Sequence, residues 1–229
     1  MGSVDGRLLP SGWTPPFDGT GSGILFKEYA TLGRRLETDA WMFGKATSRE
    51  MLPYKFVAKD SGHPQPGKIH EGNRDSSRTF VTIDPDADIF YVSDKLRGDN
   101  IVTVLGTNAS NDYLEMLEEK GISYAVLSDP TDLTSVMEIL HESFGIRKIS
   151  LQGGGIINGA MLDAGLIDEL SLVVYPGIDG LAGSPSIFGS PGLPGSLPAE
   201  GQSLELISAE SLENGIVWLR YRFHRDTEF

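Results

Sequence analysis

Leu151-Gln152-Gly153-Gly154-Gly155-Ile156-Ile157-Asn158-Gly159 passes from an apolar strand through three glycines into a helix. How that passage is read decides how the rest of the chain is read. A strand-to-helix turn without side chains bares backbone N–H groups at the positive end of the helix dipole, which suits a phosphate or diphosphate. A tight turn with no ligand would use glycine too, and the glycines alone leave both readings open. The spacing is not Gly-x-Gly-x-x-Gly, and no acidic residue closes a strand about 20 residues later, so a standard dinucleotide Rossmann site is disfavoured.

Outward from this turn the same rhythm repeats. Ile101 to Leu105 is β-branched and ends at Gly106; Tyr113, Leu114, Met116 and Leu117 then fall at helical spacing before Gly121. Tyr124 to Leu127 is a second strand, followed by the helical stripe Leu133, Val136, Met137, Leu140 and Phe144, which Gly145 closes as a left-handed cap. Lys148 to Leu151 is a third strand, Ile156 to Ala164 a third helix ending at Gly165, and Leu170 to Val174 a fourth strand. Successive βα units imply right-handed crossovers and a mainly parallel sheet, so the fold class is α/β. Upstream, Ile24 to Leu36 reads as a helix, and Ala40 to Phe43 and Thr79 to Ile83 as strands. Downstream, Leu204 to Ile207, Asn214-Gly215 and the alternating Val217 to His224 predict an antiparallel hairpin that finishes the sheet. Pro53 to Ser77 and Pro176 to Gly201 are Pro/Gly/Ser-rich, and loops of that length are read as flaps or covers. No linker separates two cores, so residues 1–229 are expected to form a single domain.

Composition excludes several function classes. Of 229 residues, 19 are basic and 32 acidic, a net charge of −13 without any Lys/Arg-rich run, so nucleic acid and anionic membranes are poor partners. The absence of an apolar run near 18 residues and of a basic-then-apolar leader predicts a cytoplasmic protein. With no cysteine there is no disulfide, thiolate nucleophile or Cys-based zinc site, and no metal centre is expected.

Other polar turns follow apolar runs. In Phe43-Gly44-Lys45-Ala46-Thr47, Thr47 can cap the next helix while Lys45 reaches an anion, although a plain cap with a solvated lysine explains the same residues. Ser93-Asp94-Lys95-Leu96-Arg97 follows Ile89 to Val92 and offers two cations for a second phosphate; Gly106-Thr107-Asn108 follows another strand. Open parallel sheets bind ligands at the carboxyl edge, so several such turns together weigh more than any one. Gly62 to Lys68 matches the first seven places of a P-loop by chance, since Ile69 stands where Ser or Thr must bind Mg²⁺. There is no Gly-x-Ser-x-Gly elbow and no His-Glu-x-x-His, and His63, His70 and Glu71 read as a solvated loop.

Leu151 to Gly155, then Gly159-Ala160-Met161-Leu162-Asp163-Ala164-Gly165-Leu166-Ile167-Asp168-Glu169-Leu170 and Tyr175-Pro176, resemble the signature of the RibD C-terminal reductase family, which shares the dihydrofolate-reductase fold. Ser3-Val4-Asp5-Gly6-Arg7 is similar to that family's Ser-x-Asp-Gly turn, and Thr38 to Thr47 to its Asp-Ala-x-x-x-Gly-Arg-x-Thr segment. The resemblance spans nearly the whole chain in order. It implies a three-layer α/β/α domain with a mainly parallel sheet and a C-terminal antiparallel hairpin, working as an NADPH-dependent reductase of a pyrimidine- or pterin-like substrate, and a homodimer as in related proteins. It implies cofactor binding by Gly44, Lys45, Thr47 and Ser93, with the 2′-phosphate near the Gly44–Thr47 turn, and diphosphate binding by Gly153, Gly154, Gly155, Ile156 and Ile157; Gly106 is counted with the cofactor residues from its place at a strand end. Ser3, Asp5 and Gln152 fall on the substrate side. No residue qualifies as a general acid, and an Asp in an Asp-Gly turn such as Asp5 is as readily a turn former.

Several positions depart from the family. Without Cys the zinc deaminase of the bifunctional riboflavin enzymes is excluded. Met51-Leu52-Pro53-Tyr54 stands where the substrate motif Asp-Asp-Pro-x-Leu-x-x-Arg would begin, and Gln152 replaces a Glu. Both changes touch the substrate side, so a reductase is expected more firmly than the riboflavin-pathway substrate, 5-amino-6-(5-phosphoribosylamino)uracil. Only Met1 and Gly2 precede Ser3, where the family carries an internal strand. The expectation is that flanking strands leave N–H and C=O groups unpaired at about 1–3 kcal/mol each, and that a chain extended upstream resists denaturant better. The competing function is a nucleotide-binding module of the same fold without turnover.

Overall fold

The computed structural model describes residues 1–19, 23–59, 61–192 and 195–225. In chain order the elements are α1 (Gly23–Arg35), β1 (Ala40–Phe43), α2 (Lys45–Met51), β2 (Ile69–His70), β3 (Thr79–Asp84), β4 (Lys95–Leu96), β5 (Asp99–Gly106), α3 (Asn111–Lys120), β6 (Ser123–Leu127), α4 (Leu133–Phe144), β7 (Ile149–Leu151), α5 (Gly155–Asp163), β8 (Glu169–Val174), β9 (Gln202–Ser211) and β10 (Val217–Arg225). They form a mixed α/β fold with a mostly parallel sheet and a C-terminal antiparallel hairpin. Two compact units divide the chain, one of residues 38–153 and one of residues 1–37 with 154–229.

In the 38–153 unit the strand order is β2-β6-β5-β3-β1-β7, with β4 paired to β5. The contacts of β1 with β3 and β7, and of β5 with β3 and β6, are parallel. Burial explains why these strands are legible: β3 is buried throughout and β5 over seven of its eight residues, so neither face needs polar side chains. Gly121 and Gly145 end α3 and α4 in the left-handed region, at φ 71° and 66°, where glycine carries no Cβ penalty. Starting at β1, the strands β3, β5 and β6 succeed one another in one direction, whereas β7 lies on the other side of β1. The strand order therefore reverses between β1 and β7.

Two expectations need correction in this unit. Ile89 to Val92 is not a strand, having a single bridge from Ile89 to Lys55. The run is apolar because Ile89 and Tyr91 are fully buried core residues, the Tyr91 hydroxyl donating to Thr103 Oγ1 at 3.1 Å. Ser93 therefore leads into β4, which folds back on the start of β5, instead of closing a strand. Thr47 is not a cap either: Gly44 is the N-cap of α2, and Thr47 lies within its first turn.

The second unit holds a three-stranded antiparallel sheet, β8-β10-β9. Asn214 and Gly215 take φ of 59° and 70°, the positive values for which that pair was read as a hairpin turn. Instead of extending the parallel ladder, β8 is hydrogen-bonded to this hairpin. On one face Trp218 and Val173 meet the stripe Leu25, Tyr29, Leu32 and Leu36 of α1 and its C-terminal extension, and the Arg35 guanidinium lies 4.4 Å from the Trp218 ring centroid. The residues before Ser3 supply one parallel rung: Gly2 N donates to Val173 O and Tyr175 N to Gly2 O, both at 2.9 Å. Val173 O and Tyr175 N, in β8 and its extension, are thereby paired.

Candidate functional site

Parallel sheets bind ligands outside the carboxyl ends of their strands, where the strand order reverses, because two crossovers leave that point on opposite faces and open a crevice. Here the reversal lies between the ends of β1 and β7. Gln152 N donates to Met42 O at 2.8 Å, and Gly44 N donates to Gly153 O at 2.9 Å. The two glycine turns are thus held side by side. Gly153 has φ of 112°, a conformation that side-chain-bearing residues avoid. Gly106 ends β5, two strands from β1, and a Cβ on it would lie 2.9 Å from Pro85 O, so close backbone approach already requires glycine at that position.

Lys45, the residue after Gly44, is ringed by carboxylates. Its Nζ lies 2.8 Å from Asp84 Oδ1 and 2.9 Å from Asp88 Oδ1, and it donates a hydrogen bond to Asp86. Burial works against its charge, but the three carboxylates outweigh that and hold the ammonium above its ordinary range. Asp84 ends β3 wholly buried, and its Oδ2 accepts from Asp88 N and Ile89 N at 2.9 and 3.0 Å. Asp88 is paired with Arg49 as well, and Lys55 Nζ lies 3.5 Å away. Its carboxyl stays below the usual range: burial opposes the charge, and the Lys45 and Arg49 hydrogen bonds overcome it.

In the other unit, α5 opens on Gly154, an N-cap with no side chain to close the helix. Two glycines of α5 have a packing reason of their own. A Cβ on Gly155 would stand 2.3 Å from Ser186 O, and one on Gly159 2.2 Å from Gly189 O. The segment from Ser186 to Gly189 lies against this helix, with Gly189 N donating to Gly155 O and Asn158 Nδ2 to Ile187 O. Ile156 is exposed and Ile157 half-buried.

The Ser3 to Arg7 turn is knitted into the same unit. Asp5 Oδ1 accepts from the Ser3 hydroxyl and from Asp179 N, and Oδ2 accepts from Gly180 N at 2.9 Å. These bonds, the Ser3 hydroxyl first and the two amides next, pull the Asp5 carboxyl down to about 2. Asp5 thereby pins the loop after β8. Beside it Leu9, Ser11, Gly12, Asp179, Leu181 and Ser184 line an open cleft of about 410 Å³.

Of the residues predicted for a site, Gly44, Lys45, Gln152 and Gly153 meet at the β1–β7 reversal, and Gly106 ends β5 in the same sheet. Ser93 does not join them; its hydroxyl bonds Asp94 and accepts from Lys95 N. Ser3, Asp5 and Gly154 to Ile157 belong to the second unit. Sequence reasoning missed Asp84, Asp86 and Asp88. Their signal was an acidic residue at every second position directly after a buried strand.

A family model described as the RibD C-terminal domain matches residues 3–218, running through both units. The chain belongs to the RibD C-terminal domain family. It is therefore a reductase-like domain of a pyridine-nucleotide-dependent family. Among solved structures it is similar to a pyrimidine reductase-like protein from Corynebacterium diphtheriae, with a TM-score of 0.66 at 20% identity over 98% of this chain and 90% of that one. It is also similar to Acinetobacter baumannii RibD in two forms, with TM-scores of 0.58 and 0.59 at 16% and 15% identity. The chain covers 56% of that RibD, so it spans about half the length of this relative. At these identities the likeness speaks for the fold.

Proposed function

We propose that the protein is a pyridine-nucleotide-dependent reductase acting on a small heterocycle of pyrimidine or pterin type, of which the aminouracil intermediate of riboflavin synthesis is one. The observation that carries this reading is the family match together with the strand-order reversal at Gly44 and Gly153, two glycine turns hydrogen-bonded to each other. Gly44, Thr47, Gly106 and Gly153 are the proposed cofactor residues of one unit; the amides of Gly154 to Ile157 are proposed for the diphosphate in the other. The side-chain-free N-cap of α5 supports the diphosphate assignment. The 2′-phosphate expected near the Gly44–Thr47 turn does not fit beside Lys45, because that ammonium is already shared among three carboxylates. When bound, the nicotinamide would supply the hydride.

For this chain's own residues, the proposed tasks are binding, alignment and exclusion of water. Asp5, with both oxygens accepting from the protein, is proposed as a positioning residue that fixes the Ser3 turn against Asp179 and Gly180. Ser3 and Gln152 are proposed on the substrate side. A homodimer is proposed as well, supported by the half-exposed leucines of β9.

Fluorescence titration with reduced pyridine nucleotide, followed by its absorbance with a panel of pyrimidine, pterin and dihydrofolate acceptors, tests the reading. Binding with oxidation by one member of the panel is expected. Binding without oxidation by any acceptor would point to a nucleotide-binding module, and no binding would end both.

A further inference from the structure

An ammonium has three N–H donors, and around Lys45 three carboxylates stand ready to take them. The cation nearest the β1–β7 reversal is therefore spent inside the protein. Arg49 and Lys55 turn toward Asp88, so three cations face three carboxylates and no positive excess is left at this corner. Asp84 is fully buried and Asp88 partly buried, whereas the Asp86 side chain is 69% exposed. An incoming ligand would meet the Asp86 carboxylate.

A phosphate dianion placed there would face like charge, the kind of juxtaposition by which interfaces reject a wrong partner. A ribose with free 2′ and 3′ hydroxyls would bring donors to the same oxygen atoms, the way an acidic residue serves a dinucleotide lacking the 2′-phosphate. We infer that, given a pyridine nucleotide at the β1–β7 crevice as proposed above, the Lys45–Asp84–Asp86–Asp88 cluster selects against the 2′-phosphate. The cofactor is then NADH instead of NADPH, and Asp86 is the specificity-determining residue.

The test reads binding, apart from turnover. NADH and NADPH are titrated into the full chain by calorimetry, and the pair ADP-ribose and its 2′-phosphate is titrated alongside, so that neither the nicotinamide nor catalysis contributes. The expected result is tighter binding of the unphosphorylated member of each pair by about tenfold or more. Asp86→Asn keeps the shape, lies on the surface and removes the exposed charge; it should weaken NADH and ADP-ribose, spare or tighten their 2′-phosphorylated counterparts, and so narrow that ratio severalfold. Equal or tighter binding of NADPH by the wild-type chain overturns the inference and leaves the reductase reading standing. An Asp86→Asn ratio equal to wild type removes Asp86 from the role and overturns the inference as stated. If neither nucleotide binds, the reductase reading falls and takes the inference with it.

Discussion

Asp5 keeps its negative charge through hydrogen bonds, with no cation beside it among the described residues. The Ser3 hydroxyl and the amides of Asp179 and Gly180 all donate to its carboxylate and lower it to about 2 from an ordinary 3.8. Because the folded-state value lies below the unfolded one, the unfolded chain binds the proton first. The stabilisation is complete above about pH 4 and disappears as pH falls through about 2. Urea midpoints measured at pH 5, 3 and 2 should fall more steeply for the wild type than for Asp5→Asn, and parallel curves would remove Asp5 from the acid response. Asp84 has the opposite exposure, being fully buried under Lys45. Asp84→Asn removes one of the three carboxylates around Lys45 and leaves Asp86 and Asp88 to hold the ammonium, so it should cost about 1–3 kcal/mol in urea unfolding, the range for a lost hydrogen bond to a charged group. Lys45 was legible in the sequence as a cation after a strand. Its engagement was not, because the three carboxylates that claim it lie some forty residues downstream and reach it only through the pairing of β1 with β3.

At the scale of elements, α5 shows why a glycine run can be read locally and still be misjudged. The turn and the helix start were visible as a strand meeting three glycines. The demand at Gly155 and Gly159 is tertiary, set by the carbonyls of Ser186 and Gly189. Gly155→Ala and Gly159→Ala should each destabilise by about 1–3 kcal/mol, since the obstructing atoms are backbone and must shift. Gly33→Ala in α1, where a Cβ meets nothing within 4 Å, should stabilise by about 0.5–1 kcal/mol. Thermal or urea denaturation of the three variants separates a packing requirement from helix propensity, and a stabilising Gly155→Ala would sink the packing explanation. The core strands were legible because both of their faces are buried and their runs are continuously apolar. The partner of β8 was not, since the same alternation serves a parallel or an antiparallel neighbour. The true extent of β9 escaped because most of its residues are exposed and Ser, Glu and Gln interrupt its pattern. Ile89 to Val92 misled for the converse reason: Ile89 and Tyr91 fill the core without the backbone joining a ladder.

At the scale of the whole molecule, a net charge of −13 opposes self-association, so the proposed homodimer needs an apolar surface large enough to overcome it. The β8-β10-β9 sheet offers one. Opposed residues share a face, which places Leu204 with Phe223, and Leu206 with Tyr221 and Leu170. The other face carries Arg222 and His224 against Glu205. Leu204 and Leu206 are 50% and 55% exposed, a cost in water that a second copy packing sheet against sheet would relieve. Two such strongly acidic bodies repel over roughly a Debye length, about 10 Å at 0.1 M salt and 3 Å at 1 M, whereas apolar contact survives screening. Dimerisation should therefore tighten as salt rises, the reverse of an interface held by ion pairs. Sedimentation equilibrium at micromolar concentration in low and high salt is expected to give a dimer whose dissociation constant falls with salt. Leu206→Glu, at an exposed position that leaves the protomer's stability within about 0.5 kcal/mol, should return it to monomer. A wild-type chain that stays monomeric at both salt concentrations would show that these leucines face water by themselves.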